Sequence, residues 1–317
     1  MANELMIPTT LDSTAINISL ADYAKGISDN VYNDTLVLSL ANQAGNKRVI
    51  NGGMSIVEIL IDTEQDNGGF YLGADVLNNT QAHTLNQVEY RWQNGYEPIV
   101  ITRDEERQCS GDTHKLADLT ATKVMLSEKG IKNRYDQALS TPVAGANNLI
   151  DLETLVNTGT LGTIQGALQT FWQATVTASG AFAAQGLTDM TTAYYAVSSS
   201  STNDNPTHIV TTKTIFQKYE QTRLPLMRIS DTMTANAGFR NLTFKGIPVV
   251  YGNNIGGGLI FGLNFNYINW CVDTMTDFIT TDFISPTNQT VKVAYILVRG
   301  NLTTNNRRRH FKLTGVS

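Results

Sequence analysis

Residues 51–90 constrain the fold of this chain more than any other segment. Two β-rich runs, residues 54–61 and 88–92, flank the turn-forming stretch Asp66-Asn67-Gly68-Gly69. This pattern predicts a long β-hairpin with a wide tip. Because a lone two-stranded hairpin is at best marginally stable in water, we expect something else to cover an apolar-faced arm of this length.

The charge of the hairpin segment limits what can cover it. Residues 51–90 contain six acids and neither lysine nor arginine, a net charge of −6, whereas the whole chain has −5, so the remainder sums to +1. We therefore expect the acidic hairpin to lie on a surface that is basic or less acidic. The negative balance also argues against a protein that wraps DNA, since such proteins neutralise phosphates with a basic face.

A long helix is predicted after the hairpin. Thr102 and Glu105 have the spacing of a capping box, and apolar residues recur at spacings of three and four over residues 112–139. At about 1.5 Å per residue this helix is roughly 40 Å long. A helix of this length is typical of a rigid support that crosses a subunit. Basic residues lie along its second half, at Lys123, Lys129, Lys132 and Arg134.

The rest of the chain indicates an arm and a second compact domain. Residues 1–50 show no strong periodicity and are predicted to be an arm that lies on something else. Helical and strand patterns alternate over residues 187–222, and strands dominate after residue 239. The fold class predicted from these patterns is α+β.

No pattern in the sequence points to catalysis. The chain lacks a nucleophile elbow, a phosphate-binding loop and a dinucleotide fingerprint, and its four histidines are scattered without ligand spacing. Cys109 and Cys271 are far apart and are predicted to be reduced core thiols. We therefore expect no catalytic, cofactor or metal site. With neither a membrane span nor a signal-peptide pattern, we expect no membrane partner and synthesis in the cytoplasm.

Arg307, Arg308 and Arg309 form the one basic run that invites a nucleic-acid interpretation. Three charges are few for a binding stripe, and no aromatic residues are interleaved for stacking on single strands. The run is open to three interpretations. These are ion pairing between subunits, a solvated surface and contact with DNA.

Several segments in the second half of the chain carry a resemblance to known proteins. The C-terminal ones are Phe244-Lys245-Gly246-Ile247-Pro248-Val249-Val250, Leu259-Ile260-Phe261-Gly262-Leu263-Asn264, Val293-Ala294-Tyr295-Ile296-Leu297, Asn301-Leu302 and Asn305-Asn306-Arg307-Arg308. Together with the order of elements, they resemble the closing part of the major capsid proteins of tailed bacteriophages. The central segment Thr207-His208-Ile209-Val210, followed by a helix containing Tyr219, is also similar to the central domain of these proteins. Their fold is shared with the herpesvirus capsid floor and with encapsulins.

The resemblance implies four parts. They are an N-terminal arm (1–50), an extended loop formed by the hairpin (51–97), a peripheral domain with a long spine helix (98–140 and 246–317) and an axial α/β domain (141–245). It implies self-assembly as hexamers and pentamers into an icosahedral shell. The shell would enclose double-stranded DNA without sequence-specific binding, as the capsid of a virion assembled in the host cytoplasm.

The resemblance also implies partners and interface residues. Only about 50 residues precede the loop, so a separate scaffold protein is expected rather than a fused one, with a portal and possibly a decoration protein. The loop contains no lysine, so the isopeptide cross-link that some family members form is not expected. The residues predicted at subunit interfaces are Asp66, Gly68, Gly69, Phe70, Tyr71, Lys123, Lys129, Lys132, Arg134, Arg307, Arg308 and Arg309.

Two other functions are also compatible with the sequence. An encapsulin-type compartment would share the fold but hold a cargo enzyme. A monomeric enzyme or carbohydrate-binding domain would not assemble at all.

Overall fold

The computed structural model describes residues 35–43, 45–62, 68–78, 80, 84–108, 113–142, 148–199, 204–223 and 242–317. These residues form two compact units. The smaller holds those within Asn94–Arg134 and Thr276–Val298, and the larger holds those within Asp34–Gln93, Tyr135–Met275 and Arg299–Ser317. Residues 1–34 of the predicted arm, Cys109 and Asp66 lie outside the described residues.

The smaller unit contains most of one strand, all of a second, part of a third, a short capped helix and most of the long helix. Strand β4 (Gln93–Thr102) leads into α2 (Arg103–Gln108) and α3 (Thr113–Ser140), and β4 and β13 (Ile279–Thr280) both pair with β14 (Val291–Thr304). Strand β14 and helix α3 contribute residues to both units. The long helix predicted over residues 112–139 is confirmed.

The predicted capping box at the start of α2 is also confirmed. The amide of Glu105 donates to Thr102 Oγ1 at 3.3 Å, and the amide of Thr102 donates to Glu105 Oε2 at 2.9 Å. Burial alone would raise the pKa of Glu105, but hydrogen bonds from Lys123 and Thr102 hold that pKa below its usual range. Such reciprocal bonds satisfy two of the amides that a helix N-terminus leaves without partners.

The larger unit is built around a six-stranded mixed sheet with helices α5 (Leu187–Val197) and α6 (Lys213–Arg223) packed against it. The alternation of helical and strand patterns predicted over residues 187–222 is thus confirmed. The strands of this sheet are β7 (Thr175–Ala178), β8 (His208–Thr211), β9 (Thr243–Phe244), β10 (Ile247–Tyr251), β11 (Ile260–Leu263) and β15 (Phe311–Thr314). Their order in the sheet is β7-β15-β11-β8-β10-β9.

The core of this sheet depends on one close approach. A Cβ atom at Gly262 would lie 1.9 Å from Cε1 of Phe311, so only glycine lets the buried Phe311 ring lie across β11. The ring packs in a cluster with Ile209, Tyr219 and Phe244. Full burial of a side chain of this size stabilises the fold by about 1.5–3 kcal/mol.

A second set of strands in the larger unit places β12 (Ile268–Asp273) between a strand near the start of the described chain and the last residues of β14. Strand β1 (Lys47–Ile50) pairs in parallel with β12, and β12 pairs antiparallel with the last residues of β14, Ile268 opposite Thr304. Helix α1 (Leu36–Gln43) precedes β1, and Asp136 Oδ1 accepts hydrogen bonds from the amides of Val37 and Leu38 at 2.8 and 3.2 Å. A carboxylate at a helix N-terminus is favoured by the helix dipole.

Two hairpins complete the larger unit. The long one consists of β2 (Ser55–Ile61) and β3 (Leu85–Arg91), and the short one of β5 (Thr160–Leu161) and β6 (Ile164–Gln165), which follows the one-turn helix α4 (Leu152–Leu155). No helix in the described part of the chain is long and apolar enough to cross a bilayer.

Candidate subunit interface

The long hairpin is amphipathic at its base. It runs in antiparallel register from Ser55 opposite Arg91 to Ile61 opposite Leu85, and its side chains alternate between a buried and an exposed face. Ile56, Leu60, Val88 and Tyr90 are buried in one cluster with Leu161, Ile164, Trp172 and Cys271. The expectation that the chain itself leaves the hairpin uncovered is therefore wrong at the base, where β5, β6 and Trp172 cover one face.

Polar contacts fix the base of the hairpin as well. Tyr90 Oη donates to the carbonyl of Thr304 at 2.7 Å, and burial raises the pKa of this phenol. On the other strand Glu58 Oε1 accepts from Arg48 Nη1 at 2.8 Å and from Thr303 Oγ1 at 3.2 Å. Because buried polar groups cost free energy unless they are hydrogen-bonded, these paired groups hold both strands to the end of β14.

The opposite face and the tip of the hairpin expose large apolar side chains. Ile59 and Ile61 are each 71% exposed, and Phe70 at the tip is fully exposed. The other exposed apolar side chains of this segment are Met54, Val57, Tyr71, Leu72, Val76, Leu77 and Leu85. Large exposed apolar surface typically marks an interaction site in a soluble protein.

The predicted tip residues fall on this exposed surface. Gly68, Gly69, Phe70 and Tyr71 are all exposed, and the amide of Leu72 donates to Asp75 Oδ2 at 2.9 Å in the turn that follows. Because these side chains have little contact with the rest of the subunit, their apolar area is available to another molecule.

The predicted basic residues of α3 differ in how far they are exposed. Lys123 Nζ lies 2.7 Å from Glu105 Oε1 and also donates to the carbonyl of Val100 at 2.9 Å, so its ammonium is used within the smaller unit. Lys129 is partly exposed and Lys132 is exposed. Arg134 is 70% exposed at its side chain and lies 3.5 Å from Glu97.

The arginine run is not the continuous basic surface that the sequence suggested. Arg307 is 1% exposed. Its Nε donates to the carbonyl of Leu155 and its Nη2 to that of Thr154, both at 2.7 Å. Its Nη1 donates to the carbonyls of Gly159 at 2.6 Å and Trp172 at 3.2 Å. The prediction that Arg307 forms ion pairs with another subunit is therefore wrong, because its guanidinium is buried inside its own chain.

The two neighbouring arginines differ from Arg307. Arg309 Nε lies 3.2 Å from Asp204 Oδ2, and its Nη1 donates to the carbonyl of Val197 at 3.0 Å. Arg308 is exposed. Of the run, Arg308 is therefore the residue whose charge is most available to another molecule.

The described residues present no metal-binding cluster. No group of three His, Cys, Asp or Glu side chains among them is placed to hold a metal ion. His310 is fully buried, and burial lowers its pKa to about 3, so the ring is neutral at physiological pH. Its Nδ1 accepts from the amide of Asn264 at 3.1 Å, which gives it a structural role.

Comparison with solved structures identifies the fold. The capsid asymmetric unit of cyanophage A-1(L) matches 93% of this chain and 96% of its own, with a TM-score of 0.71 and 15% identity. The capsid of Myoviridae phage XM1 matches 94% of this chain and 97% of its own, with a TM-score of 0.56 and 14% identity.

The chain has the fold of tailed-phage major capsid proteins. An encapsulin complex from Synechococcus elongatus PCC 7942 shares this capsid fold, with a TM-score of 0.58, 10% identity and coverage of 96% of this chain and 95% of its own. No protein-family model and no curated protein sequence matches the chain.

The contact between the short hairpin and the long hairpin was not predicted from the sequence. The turn between β5 and β6 lies against the hairpin, where Thr163 Oγ1 accepts from the amide of Glu89 at 3.2 Å. A Cβ atom at Gly162 would lie 2.5 Å from Val88 Cγ2, so glycine is required for this approach. The local sequence signal for this turn is Leu161-Gly162-Thr163-Ile164, in which a glycine and a threonine separate two apolar residues.

Proposed function

We propose that this chain is a major capsid protein. Copies assemble as hexamers and pentamers into an icosahedral shell that encloses phage double-stranded DNA. The observation that carries the proposal is the capsid fold across 93% of the chain, combined with an apolar hairpin surface that the subunit itself leaves exposed. The role is structural, and no catalytic step is assigned to any residue.

The domain assignment belongs to the same proposal. Residues 51–97 act as the extended loop that reaches a neighbouring subunit, residues 98–140 and 246–317 as the peripheral domain, residues 141–245 as the axial domain, and residues 1–50 as the arm. Within 246–317, we assign β10, β11 and β15 to the axial domain instead, because they pair with β7 and β8 in one sheet. The exposure of Phe70 and Tyr71 supports the first assignment. A hairpin that is anchored at its base and apolar at its tip is suited to binding a neighbouring subunit.

The charge distribution supports a contact between the acidic hairpin of one subunit and a basic surface on a neighbouring subunit. The acidic hairpin requires a less acidic partner, and Lys132, Arg134 and Arg308 are exposed basic residues outside it. Exposed ion pairs contribute about 0–1 kcal/mol each. They therefore set orientation, and most of the binding free energy comes from apolar burial at the tip.

The remaining partners follow from the same role. A shell of this kind is built in the host cytoplasm on a separate scaffold protein, carries a portal and can bind a decoration protein. DNA fills it without sequence-specific contacts, consistent with a net charge of −5.

Serine substitution of the tip tests whether the tip drives assembly. Replacing Phe70, Tyr71 and Leu72 with serine removes apolar area that is already exposed, so the subunit should fold normally but fail to form shells. Leu168→Ser is the matched control, since Leu168 is 75% exposed but lies outside the hairpin. The measurements are thermal melting and negative-stain microscopy. Shells of normal size from the triple variant would contradict the assignment.

An encapsulin-type compartment is the second candidate, because an encapsulin also shares the fold. The contents of shells purified from the natural source separate the two. Nuclease-protected double-stranded DNA supports a capsid, and a copurifying enzyme without DNA supports a compartment.

A further inference from the structure

The loop between β1 and β2 begins with an exposed Asn-Gly-Gly sequence. Asn51 is exposed, and Asn51, Gly52 and Gly53 lie in neither a helix nor a strand. Both glycines have left-handed backbone angles, with φ of 64° and 102°, which glycine adopts without steric strain. A Cβ atom at Gly52 would meet nothing within 4 Å. The peptide group between Asn51 and Gly52 therefore has open space in which to turn.

The Asn51-Gly52 pair places an electrophile next to a nucleophile. The carbonyl carbon of an asparagine side chain can be attacked by the backbone nitrogen of the next residue, which closes a five-membered ring. Because both groups belong to adjacent residues of one chain, the reaction is intramolecular. A side chain on the second residue hinders the approach, and Gly52 has none.

A buried carboxylate lies at the attacking nitrogen. The amide of Gly52 donates to Asp273 Oδ1 at 3.3 Å, and Asp273 is 5% exposed. Because N–H···O bonds usually span about 2.7–3.2 Å, this long bond restrains the loop only weakly. Arg299 Nη1 lies 3.4 Å from the other oxygen of the same carboxylate. Asp273 Oδ1 is thus positioned to take the proton of this N–H group.

We propose that Asn51 is a site of spontaneous deamidation. The nitrogen of Gly52 attacks Cγ of Asn51, and its proton passes to Asp273 Oδ1. The bond between Cγ and Nδ2 then breaks, and the leaving nitrogen takes the same proton to depart as ammonia. Water opens the resulting succinimide at either carbonyl, which gives aspartate or isoaspartate at position 51. Nothing is oxidised or reduced, and water is the only co-reactant.

The product changes the charge at the root of the long hairpin. A new carboxylate at position 51 lies next to the Gly52 amide, and therefore close to the Asp273 carboxylate that this amide contacts, and like charges repel. The isoaspartate form also adds a methylene group to the main chain before β2. The bond from Tyr90 to the carbonyl of Thr304 still holds the base of the hairpin, so the subunit stays folded.

A second Asn-Gly pair provides an internal control. Asn94 and Gly95 lie within β4, which pairs with β14, and Asn94 is also exposed. In an extended strand the nitrogen of the next residue points away from the asparagine side chain, so the strand has to open locally before the ring can close. The two pairs share exposure and the following glycine, and they differ in backbone conformation.

Incubation of the purified free subunit at mildly alkaline pH, followed by tryptic peptide mapping, tests the proposal. Each deamidation replaces an amide by a carboxyl group, and fragment masses assign the change to a residue. This assignment is needed because Asn67-Gly68 lies on the same tryptic peptide as Asn51. Asn51→Gln is the matched variant, since a glutamine has to close a larger ring and should stay unmodified at this position.

We expect Asn51 to deamidate at least about tenfold faster than Asn94 in the folded subunit, because each 1.4 kcal/mol needed to open β4 slows the reaction about tenfold. In denaturant the two sites should react at similar rates, since glycine follows both. Equal rates in the folded subunit, or an Asn51 that stays intact while Asn94 reacts, would overturn the proposal. The reaction takes place within one subunit, so either result leaves the proposed function untouched.

Discussion

Replacing Arg307 with methionine should destabilise the free subunit. The guanidinium donates to four backbone carbonyls, those of Thr154, Leu155, Gly159 and Trp172. Methionine fills similar space but donates to none of them. The end of α4 and the segment leading to β7 would lose the group that holds them together.

The size of the effect follows from these four acceptors. A buried carbonyl left without a donor costs about 1–3 kcal/mol, so the two buried bonds, to Leu155 and Trp172, account for roughly 2–6 kcal/mol. The bonds to Thr154 and Gly159 are only partly buried and contribute less. Removing the cation recovers part of this loss, because the burial of the cation is itself costly. We therefore expect a net loss of about 1–3 kcal/mol. Burial lowers the pKa of Arg307 to about 10, so the group is charged at neutral pH and the estimate applies there.

Arg308→Met is the matched control, since it removes the same charge from an exposed neighbour and should change stability by no more than about 0.5 kcal/mol. Denaturant unfolding of both variants, measured under conditions that prevent assembly, gives the comparison. A loss below about 1 kcal/mol for Arg307→Met would refute the view that this guanidinium organises the segment.

Three further predictions concern pH, salt and covalent structure. Because burial lowers the pKa of His310 to about 3, the unfolded chain binds a proton below about pH 6.5 that the folded chain does not. The unfolding free energy should then fall by up to about 1.4 kcal/mol per pH unit between roughly pH 6 and 4. A His310→Asn variant showing the same acid sensitivity would contradict this. Reversing Lys132, Arg134 and Arg308 together to Glu should weaken assembly more at low than at high salt, and unchanged assembly would remove these residues from the interface. Boiled, unreduced particles should run as one band near 34.7 kDa, since residues 51–90 contain no lysine. A ladder of covalent multimers would show that another cross-link exists.

Local patterns allowed the main elements to be predicted. The alternation at Val88, Tyr90 and Trp92 predicted a strand, and the spacing of Thr102 and Glu105 predicted the capping box that the structure contains. The short strand β7 and the small hairpin of β5 and β6 were missed. Their residues carry little periodicity of their own, and their conformation depends on pairing with β15 and packing against the long hairpin.

The arginine run shows where sequence reasoning reaches its limit. Three consecutive cations suggest one exposed surface, but Arg307, Arg308 and Arg309 point to a buried carbonyl cluster, to solvent and to Asp204 respectively. The partners of Arg307 are carbonyls more than 130 positions away in sequence. No side-chain pattern encodes such partners, because every residue carries a backbone carbonyl.

The contact at the outer edge of β3 could also be found only from the structure. Sequence patterning predicted two strands and an apolar face, whereas the acceptor for the amide of Glu89 is Thr163, a residue in another hairpin. Its position against β3 follows from the glycine at position 162, whose φ is +62°.

Negative-stain microscopy of the purified full-length chain tests the capsid assignment most directly. Assembly conditions should be screened over protein concentration, with and without the neighbouring gene products, and paired with sedimentation. We predict closed shells of uniform size built from hexamers and pentamers. Sedimentation that gives only the 34.7 kDa monomer under every condition would contradict the account.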